Sequence, residues 1–212
     1  MGVKQEVIGN YMTDSIRPKP ASAYHHGDLR EALLAACREA LETTPPEQIT
    51  LKALALKLGV SQPAPYRHFA NREALLQTLA EDGFRRFTAV LEAAQVEGPA
   101  ETALERCLNA YVRFGQANRG VYRLMFASSI TTTAKGDTPL AHAARAAFDV
   151  LLRFVSAKAP AGRAQAVAVW IWASLHGIVM LESEGLMRGP LDEPVEAEQV
   201  VAELARAVRA RR

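Results

Sequence analysis

Four bases, Lys52, Lys57, Arg67 and Arg72, fall between Thr50 and Arg72 with no Asp or Glu among them. Over all 212 residues, 25 Lys and Arg face 23 Asp and Glu, a formal net charge of +2, so this lack of acid is a property of the stretch and not of the chain. A polyanion rewards nearby cations and penalises carboxylates. Interleaved with the bases are Thr50, Ser61, Gln62, Tyr66 and His68, side chains able to bond phosphate oxygens or base edges. Bond-making chemistry has little to work with. The five histidines (His25, His26, His68, His142, His176) show no metal-ligand spacing with Cys or carboxylates. No Gly-rich phosphate loop, G-x-S-x-G elbow or paired carboxylates in an apolar setting occurs. No catalytic residue, metal or cofactor is expected.

Two short helices must hold these groups. Thr50 is a natural N-cap, and Leu51, Leu54, Ala55 and Leu58 recur behind it at helical spacing. Gly59 supplies the backbone freedom that ends a helix, and Val60 anchors the turn. Ser61 is placed to cap a second helix carrying Gln62, Tyr66, Arg67 and His68. Helices joined through such a turn form a helix-turn-helix, whose second member enters the DNA major groove. An ordinary helical hairpin with a wet, basic face fits the same spacing. Pro63 sits near N2, where its missing donor costs little. Pro65 falls near N4, where an amide should bond back to Ser61, so a stiff, distorted or partly 3₁₀ first turn is expected. Tyr66 and Phe69 are three apart, so one ring can face outward while the other buries.

The rest of the chain reads as helices with no competing β period, an all-α protein. Residues 1–23 look like a flexible arm containing Pro18 and Pro20. Residues 24–72 form the helix-turn-helix unit and 73–212 a larger body. The first helix runs from about Gly27 to Thr43, with Leu29, Leu33, Cys37 and Leu41 as its stripe, and Ile49 packs inward as a staple before Thr50. Asn71 caps a long helix reaching about Gln95, whose free amides, with Arg72, could meet a phosphate. Further helices are expected over Ala100–Asn118, Val121–Phe126, Thr138–Ala157, Gly162–Glu184 and Glu196–Ala210, with residues 127–137 a mobile surface loop. Cys37 and Cys107 lie in apolar patterns and read as two buried thiols, which suits a reducing cytoplasm. No secretory leader is apparent. The richest apolar run, Ala164 to Leu181, is interrupted by Gln165, Ser174 and His176 and reads as a buried helix, not a membrane span.

The sequence resembles the TetR/AcrR-type bacterial transcriptional regulators. The resemblance is strongest over residues 26–76, in Gly27-Asp28-Leu29-Arg30, Thr50, Leu54-Ala55, Gly59-Val60-Ser61, Tyr66, His68-Phe69 and Asn71-Arg72-Glu73-Ala74-Leu75. It implies an N-terminal three-helix DNA-binding head and a C-terminal helical bundle that dimerises and senses a small molecule. It further implies that Thr50, Tyr66 and His68 contact phosphates, that Arg72 stands where the family often has a lysine, and that Gln62 and Ala64 reach base edges. Pro63 and Pro65 depart from the small or aliphatic residues usual there, although a proline ring could press on a thymine methyl. Leu56 occupies a face that is often charged. Trp172-Ala173-Ser174-Leu175-His176-Gly177 resembles the Trp-His-Gly signature of one subgroup, and Val121–Phe126 its short helix. Gly177 and the two tryptophans make the last two helices the expected homodimer contact across a two-fold axis.

A sensing pocket should be mainly apolar with a few orienting polar groups. Leu108, Tyr111, Met125, Phe148, Trp172, His176 and Met180 are the residues expected to line it, His176 either bonding a ligand or packing in the core. The function these readings imply is a cytoplasmic, dimeric repressor, bound to double-stranded operator DNA and released by an effector. A constitutive DNA binder and a helical dimeric scaffold without DNA binding are the alternatives.

Overall fold

The structure, a computed structural model, describes residues 28–126, 128–133, 136–156, 162–187, 193 and 195–210. The proposed arm over residues 1–23 lies outside them. Among the described residues the α-helices are α1 (Asp28–Ala40), α2 (Leu51–Lys57), α3 (Arg72–Val96), α4 (Ala103–Ala117), α5 (Arg119–Phe126), α6 (Ser129–Thr133), α7 (Pro139–Ser156), α8 (Ala164–Ser183) and α9 (Ala197–Arg209). No strand occurs among the described residues.

Local chemistry explains where the first elements start and stop. The Thr50 hydroxyl accepts from the Ala53 amide at 3.1 Å, satisfying a free donor at the start of α2. Gly59 takes a positive φ of 67°, and the Val60 amide reaches back to the Ala55 carbonyl at 3.0 Å. That is a left-handed cap closing α2 after two turns. Asn71 accepts from the Ala74 amide at 2.8 Å and starts α3 as expected. Leu33, Cys37, Leu41, Ile49, Leu54, Phe69, Leu75 and Leu76 bury together and hold α1, α2 and the start of α3 as the head.

The long α3 carries this head into the body, where Leu79, Phe84, Phe87 and Leu91 pack against α4, α5 and α7. Val90, on the same helix, is 39% exposed. Helix α5 also touches the head directly. A Cβ on Gly120 would lie 2.5 Å from the Leu41 carbonyl, so only glycine permits this approach. Beside it the Gly120 amide donates to Glu42 Oε1 (3.2 Å) and Arg123 Nη2 donates to the Leu41 carbonyl (3.3 Å).

Three expectations change. The first helix stops at Ala40, followed by turns, because the Glu42, Thr43 and Thr44 amides bond over short spans to Glu39 and Ala40 ahead of Pro45. Residues 128–133 are not simply a loop: α6 forms there, with Ser128 and Ile130 buried and the Ser128 hydroxyl donating to the Leu124 carbonyl at 2.7 Å. A single inward isoleucine is too sparse to show as a period. Helix α8 is long and apolar enough, by length and composition, to cross a membrane, yet only 28% of its apolar window is buried. It packs on α4, α7 and α9 along one side and leaves the other uncovered, so it is not the buried core helix expected.

Candidate nucleic-acid interface and body cavity

The second helix of the reading pair is not an α-helix. Residues Ala64–Arg67 form a 3₁₀ turn flanked by Pro63, with no side-chain cap. Ser61 contributes its carbonyl, which accepts from the Ala64 amide at 3.0 Å, while its exposed side chain caps nothing. The cause is Pro65: an α-helix would need its amide at that level, and the chain closes i→i+3 bonds around it instead. The Tyr66 amide bonds Pro63, and the His68 and Phe69 amides both bond Pro65.

This compact turn sorts the expected contact residues. Thr50, Ser61, Gln62 and Pro63 are exposed, and Tyr66 is 55% exposed with its neighbour Phe69 buried at 4%. Ala64 and His68 are half-buried. Pro65 is buried in the head, so its ring braces the turn from behind and cannot press on a base. Arg72 is not a free cation at the start of α3. Its Nη1 donates to the Pro46 and Glu47 carbonyls at 3.1 and 2.9 Å, tying the α1–α2 connection to α3. Lys57 pairs with Glu39 of α1 at 2.9 Å, so an acid distant in sequence offsets one of the four bases. The remaining two, Lys52 and Arg67, are exposed without an ion pair among the described residues. Their charge was visible in the sequence; their freedom was not. Leu56 is 83% exposed on the same unit.

In the body a cavity of about 510 Å³ opens between α3, α4, α5, α7 and α8. Leu108, Tyr111, Met125, Phe148 and Trp172 line it as expected, joined by Phe84, Phe87, Phe126, Thr131 and Gln165. His176 and Met180 are not in its lining. The reason for His176 is a contact with α5: its Nδ1 lies 2.9 Å from the Tyr122 hydroxyl, and the rings stack at 5.7 Å. Tyr122 in turn meets the Tyr111 hydroxyl at 2.9 Å. The Trp172 indole adjoins Tyr111. With a neutral imidazole protonated on Nε2, Nδ1 accepts from the Tyr122 hydroxyl, which in turn accepts from Tyr111. Burial favours that neutral form by lowering the His176 pKa, and burial raises both tyrosines. Met180 packs against the core from the next turn of α8. Both cysteines are free and buried, with burial pushing the Cys37 thiol up to about 12 and Cys107 to about 11. No group of three or more His, Cys, Asp or Glu that could hold a metal occurs among the described residues.

Two family models match different parts of this architecture. The one described as bacterial regulatory proteins, tetR family, matches residues 33–79, and a tetracyclin repressor-like C-terminal domain matches residues 104–208. The chain belongs to the TetR family. That family is regulatory, and this TetR-family chain is not an enzyme. A structure of a protein with unknown function from Rhodococcus sp. RHA1 is 33% identical, with a TM-score of 0.75 over 89% of this chain and 98% of that one. The nucleoid occlusion factor SlmA of Idiomarina loihiensis is 34% identical over 45% of this chain and 50% of its own length. The tetracycline repressor protein class C of Escherichia coli is 48% identical over 24% of each chain. The chain spans about half the length of the nucleoid occlusion factors it matches.

Proposed function

We propose that this TetR-family chain is a sequence-specific DNA-binding transcriptional regulator that works as a two-fold dimer in the cytoplasm. The observation that carries this reading is the exposed set Gln62, Tyr66, Lys52 and Arg67 on a head stiffened by Pro65. Lys52, Arg67, Thr50 and Tyr66 suit phosphates, whereas Gln62 suits a base edge. Helices α8 and α9 supply the dimer contact. Leu181 is exposed on α8, and the missing Cβ of Gly177 faces open space. A second copy, not lipid, covers this face. The Trp172 to Gly177 signature supports placing the body in the Trp-His-Gly subgroup.

Fluorescence anisotropy with labelled duplex, first from the promoter of its own operon and then from sequences selected out of random DNA, tests the reading. Specific binding that weakens steeply with salt is expected. Failure to prefer any duplex, or binding indifferent to salt, overturns it.

The likeness to nucleoid occlusion factors supports constitutive binding more directly than release by an effector. One observation favours the effector-released repressor. Helix α5 grips the head at Leu41 and Glu42 with its first turn and walls the cavity with Met125 and Phe126 at its end. A ligand that binds better to one placement of α5 must change DNA affinity by the same factor. A scaffold without DNA binding would follow if Pro65 disrupted the contact surface, but Pro65 is buried while Gln62 and Tyr66 stay exposed on either side.

A further inference from the structure

The body cavity is lined without a single Asp, Glu, Lys, Arg or His. Its polar lining groups are few, and the Tyr111 and Thr131 hydroxyls are already engaged within the protein. The Tyr111 hydroxyl meets Tyr122, which is outside the lining, so the cavity sees the tyrosine ring and not a free donor. The Trp172 indole adjoins Tyr111, and the Cys107 thiol, a weak donor, is buried beside Gln95. The Thr131 hydroxyl donates to the Leu124 carbonyl at 3.3 Å. Gln165, exposed in the first turn of α8, carries a carboxamide with no hydrogen bond among the described residues. Between these groups stand the rings of Phe84, Phe87, Phe126 and Phe148.

We infer that the cavity takes an uncharged, largely apolar ligand whose one neutral polar group sits at the Gln165 end. This deepens the effector-released reading and names the class of molecule it requires. A charge brought into this space loses part of its water and finds no opposite charge among the lining residues to replace it. A neutral carbonyl, amide or hydroxyl at the Gln165 end keeps one partner, since a carboxamide both donates and accepts. Aromatic and aliphatic bodies alike gain from leaving water for the ring-lined interior.

The test is a matched pair of fluorescent probes on the full chain: phenylnaphthylamine, which is neutral, and anilinonaphthalene sulfonate, the same skeleton with an anionic group. The neutral probe is expected to bind at least about tenfold tighter. Ala147→Phe, which fills the cavity from α7, is expected to abolish that binding. Ala144→Phe, at a half-buried lining position, does the same if the first variant does not melt cooperatively. Equal or tighter binding of the sulfonate overturns the proposal. So does neutral-probe binding that survives the filled cavity, or no binding of the neutral probe. The Tyr66→Ala protein separates the two readings: it should keep the probe while binding the duplex more weakly. Probe binding that leaves duplex affinity unchanged in the parent protein overturns effector release and leaves the ligand class standing.

Discussion

At the scale of single residues, exposure decides which of the expected contacts can work. Tyr66 projects its ring outward while Phe69, three positions on, fills the head core, so Tyr66→Ala removes a contact without opening a cavity. Its duplex affinity is expected to fall by about 1–2 kcal/mol, roughly five- to thirtyfold, with an unchanged melting midpoint. Anisotropy titration and thermal melting of the same sample check both halves. His176 carries a second prediction. Burial lowers its pKa in the fold below the ordinary 6.5, so the unfolded chain binds a proton that the folded chain refuses. Stability is therefore full above pH 6.5 and falls as the pH drops from there to the lowered folded value. His176→Gln, which can still meet Tyr122, should flatten that part of the curve. Urea unfolding midpoints across this range measure it, and an identical slope in the variant would contradict the assignment.

At the scale of elements, two connections matter more than the helices they join. The 3₁₀ turn at Ala64–Arg67 trades helical length for rigidity, since two prolines fix its backbone and Pro65 packs into the head. Arg72 then staples the start of α3 to the loop after α1 through two carbonyls. Its role is structural first. Arg72→Ala is expected to lower head stability by about 1–2 kcal/mol, because two charge-assisted bonds to carbonyls are lost. The salt slope of duplex binding should stay as it was, whereas Lys52→Ala should reduce that slope by about one. Denaturant unfolding and salt-dependent titration separate the two cations. If Arg72→Ala reduced the slope as Lys52→Ala does, Arg72 would have to be restored as a phosphate contact.

At the scale of the molecule, the uncovered side of α8 is where the proposed dimer can be tested. Leu181 is 45% exposed on a helix whose opposite side already packs on α4, α7 and α9. Leu181→Glu places a charge where a second copy would cover it, so the protein is expected to shift from dimer to monomer in light scattering. Duplex affinity should fall with it, because two half-sites are no longer held together.

Much of this was legible from the chain. Thr50, Gly59 and Asn71 act through local backbone bonds, and such caps reveal themselves by residue type and position. The stripe Leu29, Leu33, Cys37 and Leu41 buries as its period requires. Aromatic residues in the body foretold a cavity, and five of the seven expected lining residues border it.

What the sequence determined alone is therefore the all-α framework, its caps, and the family that orders head before body. Those follow from interactions within a few residues. Tertiary structure alone decided that Glu39 neutralises Lys57, that Arg72 is spent on carbonyls of the loop before α2, and that His176 faces Tyr122 and not the cavity. Each depends on partners 18 to 54 positions away. No local period carries that information, because a side chain's partner across the fold is fixed only when the helices dock.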